Sequence, residues 1–252
     1  EGGGIAFNSG AQVNTLDGIN GKFNAQQVLA AINNPYDAHK ARTSLVCVEN
    51  TSNRGGGGCY TIGDITPIKK VCDEHGLKLH LDGARLFNAL VANNEKPGLY
   101  GNVFHSVSVC LNKGLGCPIG SILIGKKDLI ARGRRVRKAF GGGMRQAGYM
   151  AAAGIYALDN HIERLAQDHQ HAKQIADALR QKDFTGEILP VETNIILFEV
   201  KNRSARELVE AFKQQGVLVI AMTPKQVRMV LHLDISAEMV KKVIEVIESI
   251  SQ

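Results

Sequence analysis

The sequence predicts an α/β fold, with a large unit built on a mainly parallel sheet and a small C-terminal α+β unit after it. Three observations predict it. Four short apolar runs, SLVCVEN (44–50), LKLHLDG (77–83), HSVSVCLNK (105–113) and SILIG (121–125), alternate with helix-like segments, the pattern of parallel strands joined by crossovers. After Gly143 the texture changes to MRQAGYMAAAGIYALDN and HIERLAQDHQHAKQIADALRQK, whose composition suits long helices bridging two domains. From Gly186 onward, short strand-like runs and two helical segments follow, an α+β pattern. The division expected is a large domain over 1–160 and a small one over 161–252.

Each element has a local reason. A first helix is expected from about Asn24 to Ile32. The helix between the first two strands has Thr66 as cap, Pro67 at its first position, apolar Ile68, Val71 and Cys72 on one face, and Gly76 as stop. In the C-terminal part the expected order is strands ILPVE (188–192) and NIILFEV (194–200), a helix at 204–215, strands VLVIAM (217–222) and VRMVLHL (227–233), and a last helix from Ser236.

Bulk properties exclude several classes. With 252 residues, 44% of them hydrophobic, the chain can bury a sizeable core. No apolar run nears the roughly 20 residues of a membrane span, and EGGGIAFNSG has no signal-peptide pattern, so a cytoplasmic protein is expected. Five cysteines without CxxC spacing predict neither a disulfide framework nor a metal site. The net charge of +6 concentrates in ARGRRVRKAF (131–140), which reads as a solvated helix face without a nucleic-acid recognition motif. In GSILIGKK a lysine stands where a phosphate loop needs Ser or Thr, and SILI reads as a strand. The chain opens without methionine, which is expected of a fragment or a processed form.

Ligands of parallel sheets sit outside the carboxyl ends of the strands, a rule that selects Glu49, Asn50, Asp82 and Lys113. A lysine amine and a carboxylate at neighbouring strand ends suit pyridoxal 5'-phosphate (PLP), which needs a Schiff-base lysine and an acid near its ring nitrogen. Asp82 also reads as an ordinary turn residue, and Lys113 as a solvated one; sequence physics leaves these alternatives open.

The blocks LHLDGARLFNALVA (79–92), VCLNKGLGCPIGSILIG (109–125) and RKAFGGGMRQAGYMAAAGIYAL (137–158) resemble those of the low-specificity L-threonine aldolases, PLP-dependent enzymes of the aspartate aminotransferase superfamily, fold type I. DAHKARTSLVCVEN (37–50) and QVRMVLHLDIS (226–236) extend the resemblance over nearly the whole chain. It implies that Lys113 carries PLP, that Asp82 pairs with the pyridine nitrogen, and that Arg85 lies beside the ring hydroxyl and helps bind substrate. By the same resemblance Arg228 grips the substrate carboxylate, Lys138 and Arg145 reach the cofactor phosphate from a neighbouring subunit, and His39 is the remaining candidate base, with a linker histidine as the alternative.

The implied activity is cleavage of L-threonine or L-allo-threonine to glycine and acetaldehyde by a homo-oligomer, a dimer of dimers. Two features depart from the family. Its N-terminal portion, with a small-residue phosphate turn and a histidine stacked on the ring, finds no counterpart in these residues. Its ENTHN block reads ENTSN here, with Ser52 for the histidine, followed by the glycine-rich RGGGGCY (54–60). Other PLP-dependent lyase or aminotransferase chemistry, and a non-catalytic fragment, stay open as alternatives.

Overall fold

A computed structural model describes residues 2–250. Helices α1 (Gly4–Ser9) and α2 (Ala25–Ala31) lead into β1 (Leu45–Glu49), α3 (Ile62–Glu74), β2 (Lys78–Gly83), α4 (Leu86–Asn93), α5 (Pro97–Val103), β3 (Ser106–Cys110) and β4 (Ser121–Gly125). Then come α6 (Lys127–Ala139), α7 (Gly148–Asn160) and α8 (Leu165–Arg180). The chain finishes with β5 (Thr185–Ile188), β6 (Ile195–Val200), α9 (Ala205–Gln214), β7 (Ile220–Thr223), β8 (Gln226–Val230) and α10 (Ala237–Ser249).

The first sheet has the order β1-β2-β3-β4, and its first three strands are parallel. Glu49 stands beside Asp82, and Asp82 beside Ser108, so the first three strands end together. The fourth strand is antiparallel to β3, not parallel as its place in the alternation suggested. The reason is the connection: residues 111–120 contain no helix, and a parallel return needs a crossover of a dozen residues or more. Side chains alternate across the strands. Val46, Val48, Leu79, Leu81, Val107 and Val109 pack against Ile65, Ile68 and Cys72 of α3, Leu86 and Leu90 of α4, and Tyr100 of α5. The other face presents Glu49, His80, Asp82, Ser106 and Ser108, all partly accessible.

The second sheet, β5-β6-β8-β7, is antiparallel throughout. Its core joins Phe198, Val200, Val227 and Met229 to Ala172, Ile175 and Leu179 of α8, Leu208 and Phe212 of α9, and Val240, Val246 and Ile247 of α10. Helix α8 packs on α10 and also on α4, so it lies against elements beside both sheets.

Local signals explain several boundaries and correct others. Asn24 and Ser204 close reciprocal capping boxes with Gln27 and Glu207, which start α2 and α9 where expected. Helix α3 starts earlier than Pro67 implied: Thr61 and Asp64 form a capping box, Pro67 lies inside the helix, and the Thr66 hydroxyl donates back to the Ile62 carbonyl. The fifth strand occupies Thr185–Ile188, ahead of the ILPVE segment.

Candidate active site

The Lys113 turn follows β3 and is built by backbone contacts. The Gly116 N–H donates to the Lys113 carbonyl (2.9 Å), the Leu111 N–H to Gly120 (2.9 Å), and the Cys117 N–H to Leu111 (3.0 Å). Leu111, Leu115 and Cys117 are buried with Leu165 and Ala157, and the His161 Nδ1–H donates to the Leu115 carbonyl (2.7 Å). At Gly114 an added Cβ would fall 2.9 Å from Leu165 Cδ2 and 3.2 Å from Asn88 Oδ1. Any larger residue there would have to displace the buried Leu165 side chain. The turn is therefore anchored beneath while Lys113 itself is exposed.

Asp82 stands one residue before the end of β2, and its Oδ1 accepts the Ala84 N–H (3.1 Å), the turn that the Asp-Gly pair predicted. Three residues on, Arg85 is the N-cap of α4, and its Nη1 donates to Asn53 Oδ1 (3.0 Å). Arg228 comes from β8 of the other sheet, and its Nη2 donates to the same Asn53 oxygen (2.7 Å). Glu49 Oε1 accepts the Asn53 N–H (3.1 Å). The charges are within reach of one another. Burial raises the Glu49 pKa, with Asp82 adding to the rise, while the Asn53 N–H, Arg85 and Lys113 oppose it. Burial lowers the Arg85 pKa, and the like charge of Arg228 lowers it further. Arg228 is lowered by burial.

The structure thus brings Asp82, Arg85, Arg228 and Lys113 to one end of the first sheet. It does not bring the other expected residues there. His39 is exposed in the segment after α2, where its backbone N–H donates to Asp37 Oδ1 (3.0 Å), and no hydrogen bond or ion pair of its ring is found among the described residues. Lys138, on α6, and Arg145, in the turn before α7, are exposed as well. Because β4 is antiparallel, Lys126 emerges at the opposite end of the sheet from Lys113. Asn53 went unnoticed in the sequence, although it closes the ENTSN block already marked as unusual.

These donors suit PLP at its reactive end: an accessible amine, a carboxylate at the adjoining strand end, and two guanidiniums whose buried Nε atoms have no hydrogen-bond partner. An anion is the chemical complement of two such donors.

The sequence matches the beta-eliminating lyase family over residues 1–203. The chain belongs to that family. It is accordingly a lyase. It is 37% identical over 256 residues to a probable low-specificity L-threonine aldolase 2 of Arabidopsis thaliana, covering 99% of this chain and 72% of that protein. With the low specificity L-threonine aldolase of Escherichia coli (strain K12) it shares 41% identity over 215 residues, 83% of this chain and 61% of that one. Among solved structures, the threonine aldolase of Leishmania major superposes with a TM-score of 0.80 at 20% identity, over 97% of this chain and 74% of that one. A putative L-allo-threonine aldolase from Listeria monocytogenes EGD-E gives 0.79 at 21% identity, covering 98% and 70%. These two likenesses establish the fold, which is that of the fold type I enzymes expected from the sequence.

Proposed function

We propose that this chain cleaves L-threonine or L-allo-threonine to glycine and acetaldehyde with the aid of PLP. The observation that carries the reading is the convergence of Lys113, Asp82, Arg85 and Arg228 from two sheets on one strand-end site. When bound, PLP supplies an electron sink for the pair released as the Cα–Cβ bond breaks. Lys113 would hold the cofactor's aldehyde carbon. Asp82 would keep a proton on the ring nitrogen, an anion favouring the protonated form. Arg85 and Arg228 bind the substrate carboxylate and so orient the bond to be broken. His39 stays in the proposal as acceptor of the β-hydroxyl proton on sequence resemblance alone, and Lys138 and Arg145 as phosphate ligands on the same ground.

We also infer a cytoplasmic homo-oligomer, a dimer of dimers. No helix among the described residues is long and apolar enough to cross a membrane. The oligomeric state rests on the sequence resemblance alone.

Borohydride reduction in the presence of PLP, followed by peptide mapping, is expected to place the label on Lys113. A label on Lys126 or Lys138 would remove Lys113 from the site. Product analysis separates the chemistry: acetaldehyde and glycine are expected from threonine, whereas ammonia with a keto acid would replace the aldolase reading by an eliminating one.

A further inference from the structure

The RGGGGCY loop serves none of the roles assigned so far. Residues Gly55–Tyr60 are nevertheless buried, wedged between the two units. A Cβ on Gly55 would fall 1.9 Å from the Asn20 carbonyl oxygen, and one on Gly57, whose φ is +82°, would fall 2.6 Å from Thr193 Oγ1. The glycines are what allow the passage. Two hydrogen bonds then tie the loop to the segment before β6: Thr193 Oγ1 donates to the Gly57 carbonyl (2.9 Å), and Glu192 Oε2 accepts the Cys59 N–H (2.8 Å). At the loop's other end, Glu49 holds Asn53 by its N–H.

Asn53 is therefore anchored to both units, and its side chain joins one arginine from each. Arg85 and Arg228 repel one another, and a single neutral oxygen accepts from both while leaving their charge intact for a ligand. Each guanidinium keeps a buried, unpartnered Nε–H. We propose that Asn53 is a positioning residue that registers Arg228 against Arg85, so that one substrate carboxylate meets both. The inference rests on the reading of these arginines as the carboxylate site.

The test compares Asn53→Ala and Asn53→Asp in the PLP-loaded enzyme; the aspartate keeps the shape of the side chain, so it controls for folding. Asn53→Ala is expected to raise KM for threonine about tenfold with kcat within about threefold. Asn53→Asp is expected to raise it more, on the order of a hundredfold, because a fixed carboxylate competes for both guanidiniums. Inhibition by 1-amino-2-propanol, which lacks the carboxylate, is expected to stay unchanged. A second readout does not depend on turnover. Titration of nitrogen-labelled protein with acetate should shift both arginine Nε–H resonances together, and Asn53→Ala should uncouple them.

KM unchanged in both variants overturns the proposal. So does a fall in kcat and thermal midpoint that is equal for Ala and Asp, which is the mark of a loop residue with a structural role only. Arg85→Ala and Arg228→Ala tell the two failures apart. If they too leave KM and the acetate shifts unaltered, the carboxylate reading itself is wrong; if only the Asn53 variants are silent, Asn53 alone is misassigned.

Discussion

Strands β6 and β4 are both short and apolar, IILFEV and SILIG, yet five of the six residues of β6 are buried and all five of β4 are exposed. The difference lies in their neighbours. Strand β6 pairs on both sides, with β5 and β8, and lies against α8 and α9. Among the described residues strand β4 pairs only with β3, and the helix beside it, α6, buries no residue. Apolar composition makes a strand, but it is a covered face that makes the strand part of a core. Strand β6 should therefore carry far more energetic weight than β4.

The sharpest way to break that comparison is to empty the second core. Phe212 is fully buried among Leu179, Leu208 and Ile247. Phe212→Ala is expected to cost about 3–5 kcal/mol by urea unfolding, the range for a truncated buried aromatic. A loss below about 1 kcal/mol would mean that this core is looser than its burial indicates.

A next, smaller effect is set by pH at the seam of the two units. His169 on α8 is buried, and its Nε2 accepts from Asn88 Nδ2 on α4 (3.1 Å), which puts the ring proton on Nδ1. Burial lowers its pKa to about 4; Asp168 opposes the shift and Lys173 adds to it. Between the ordinary value near 6.5 and about 4, the unfolded chain takes up a proton that the folded chain refuses. Stability is thus full above pH 6.5 and falls as pH drops through that window, by on the order of 2–3 kcal/mol. The acid limb of the urea midpoint should flatten in His169→Gln; an unchanged limb would show that another group governs it.

A third effect tests legibility as well as stability. The helix at 204–215 was expected from the sequence; the Ser204–Glu207 capping box starts it, and Ser204→Ala is expected to cost about 1 kcal/mol. The box at Thr61–Asp64 went unread, since Pro67 drew the helix start to itself, because proline is favoured at a first helical position and tolerated only at a cost further in. The strand ends carrying Asp82 and Lys113 were legible since they follow from alternation and a turn dipeptide. The direction of β4 was legible in principle from its ten-residue connection, but strand periodicity has no direction and that signal went unused. Arg228 could be found only by resemblance, because it arrives from another sheet. Asn53 depends on a loop path that local sequence does not encode, the glycines permitting many conformations and packing selecting one.

The smallest expected effect is the one that tests β4 itself. Ile122, Leu123 and Ile124 are 40%, 45% and 49% exposed, so each keeps nearly half of its surface in water after folding. Ile124→Thr keeps the branched Cβ that a strand favours and removes a side chain that is already half solvated. The expected change in unfolding free energy is within about 0.5 kcal/mol, the range for surface substitutions away from caps and cores. The measurement is the urea midpoint at two protein concentrations about a hundredfold apart, since linkage makes the apparent stability of an assembled protein rise with concentration. A small, concentration-independent change keeps β4 outside the core. A loss near 2 kcal/mol that grows with concentration would mean that this face is covered in solution, and the contrast between the two strands would then belong to the isolated chain and not to its assembled form.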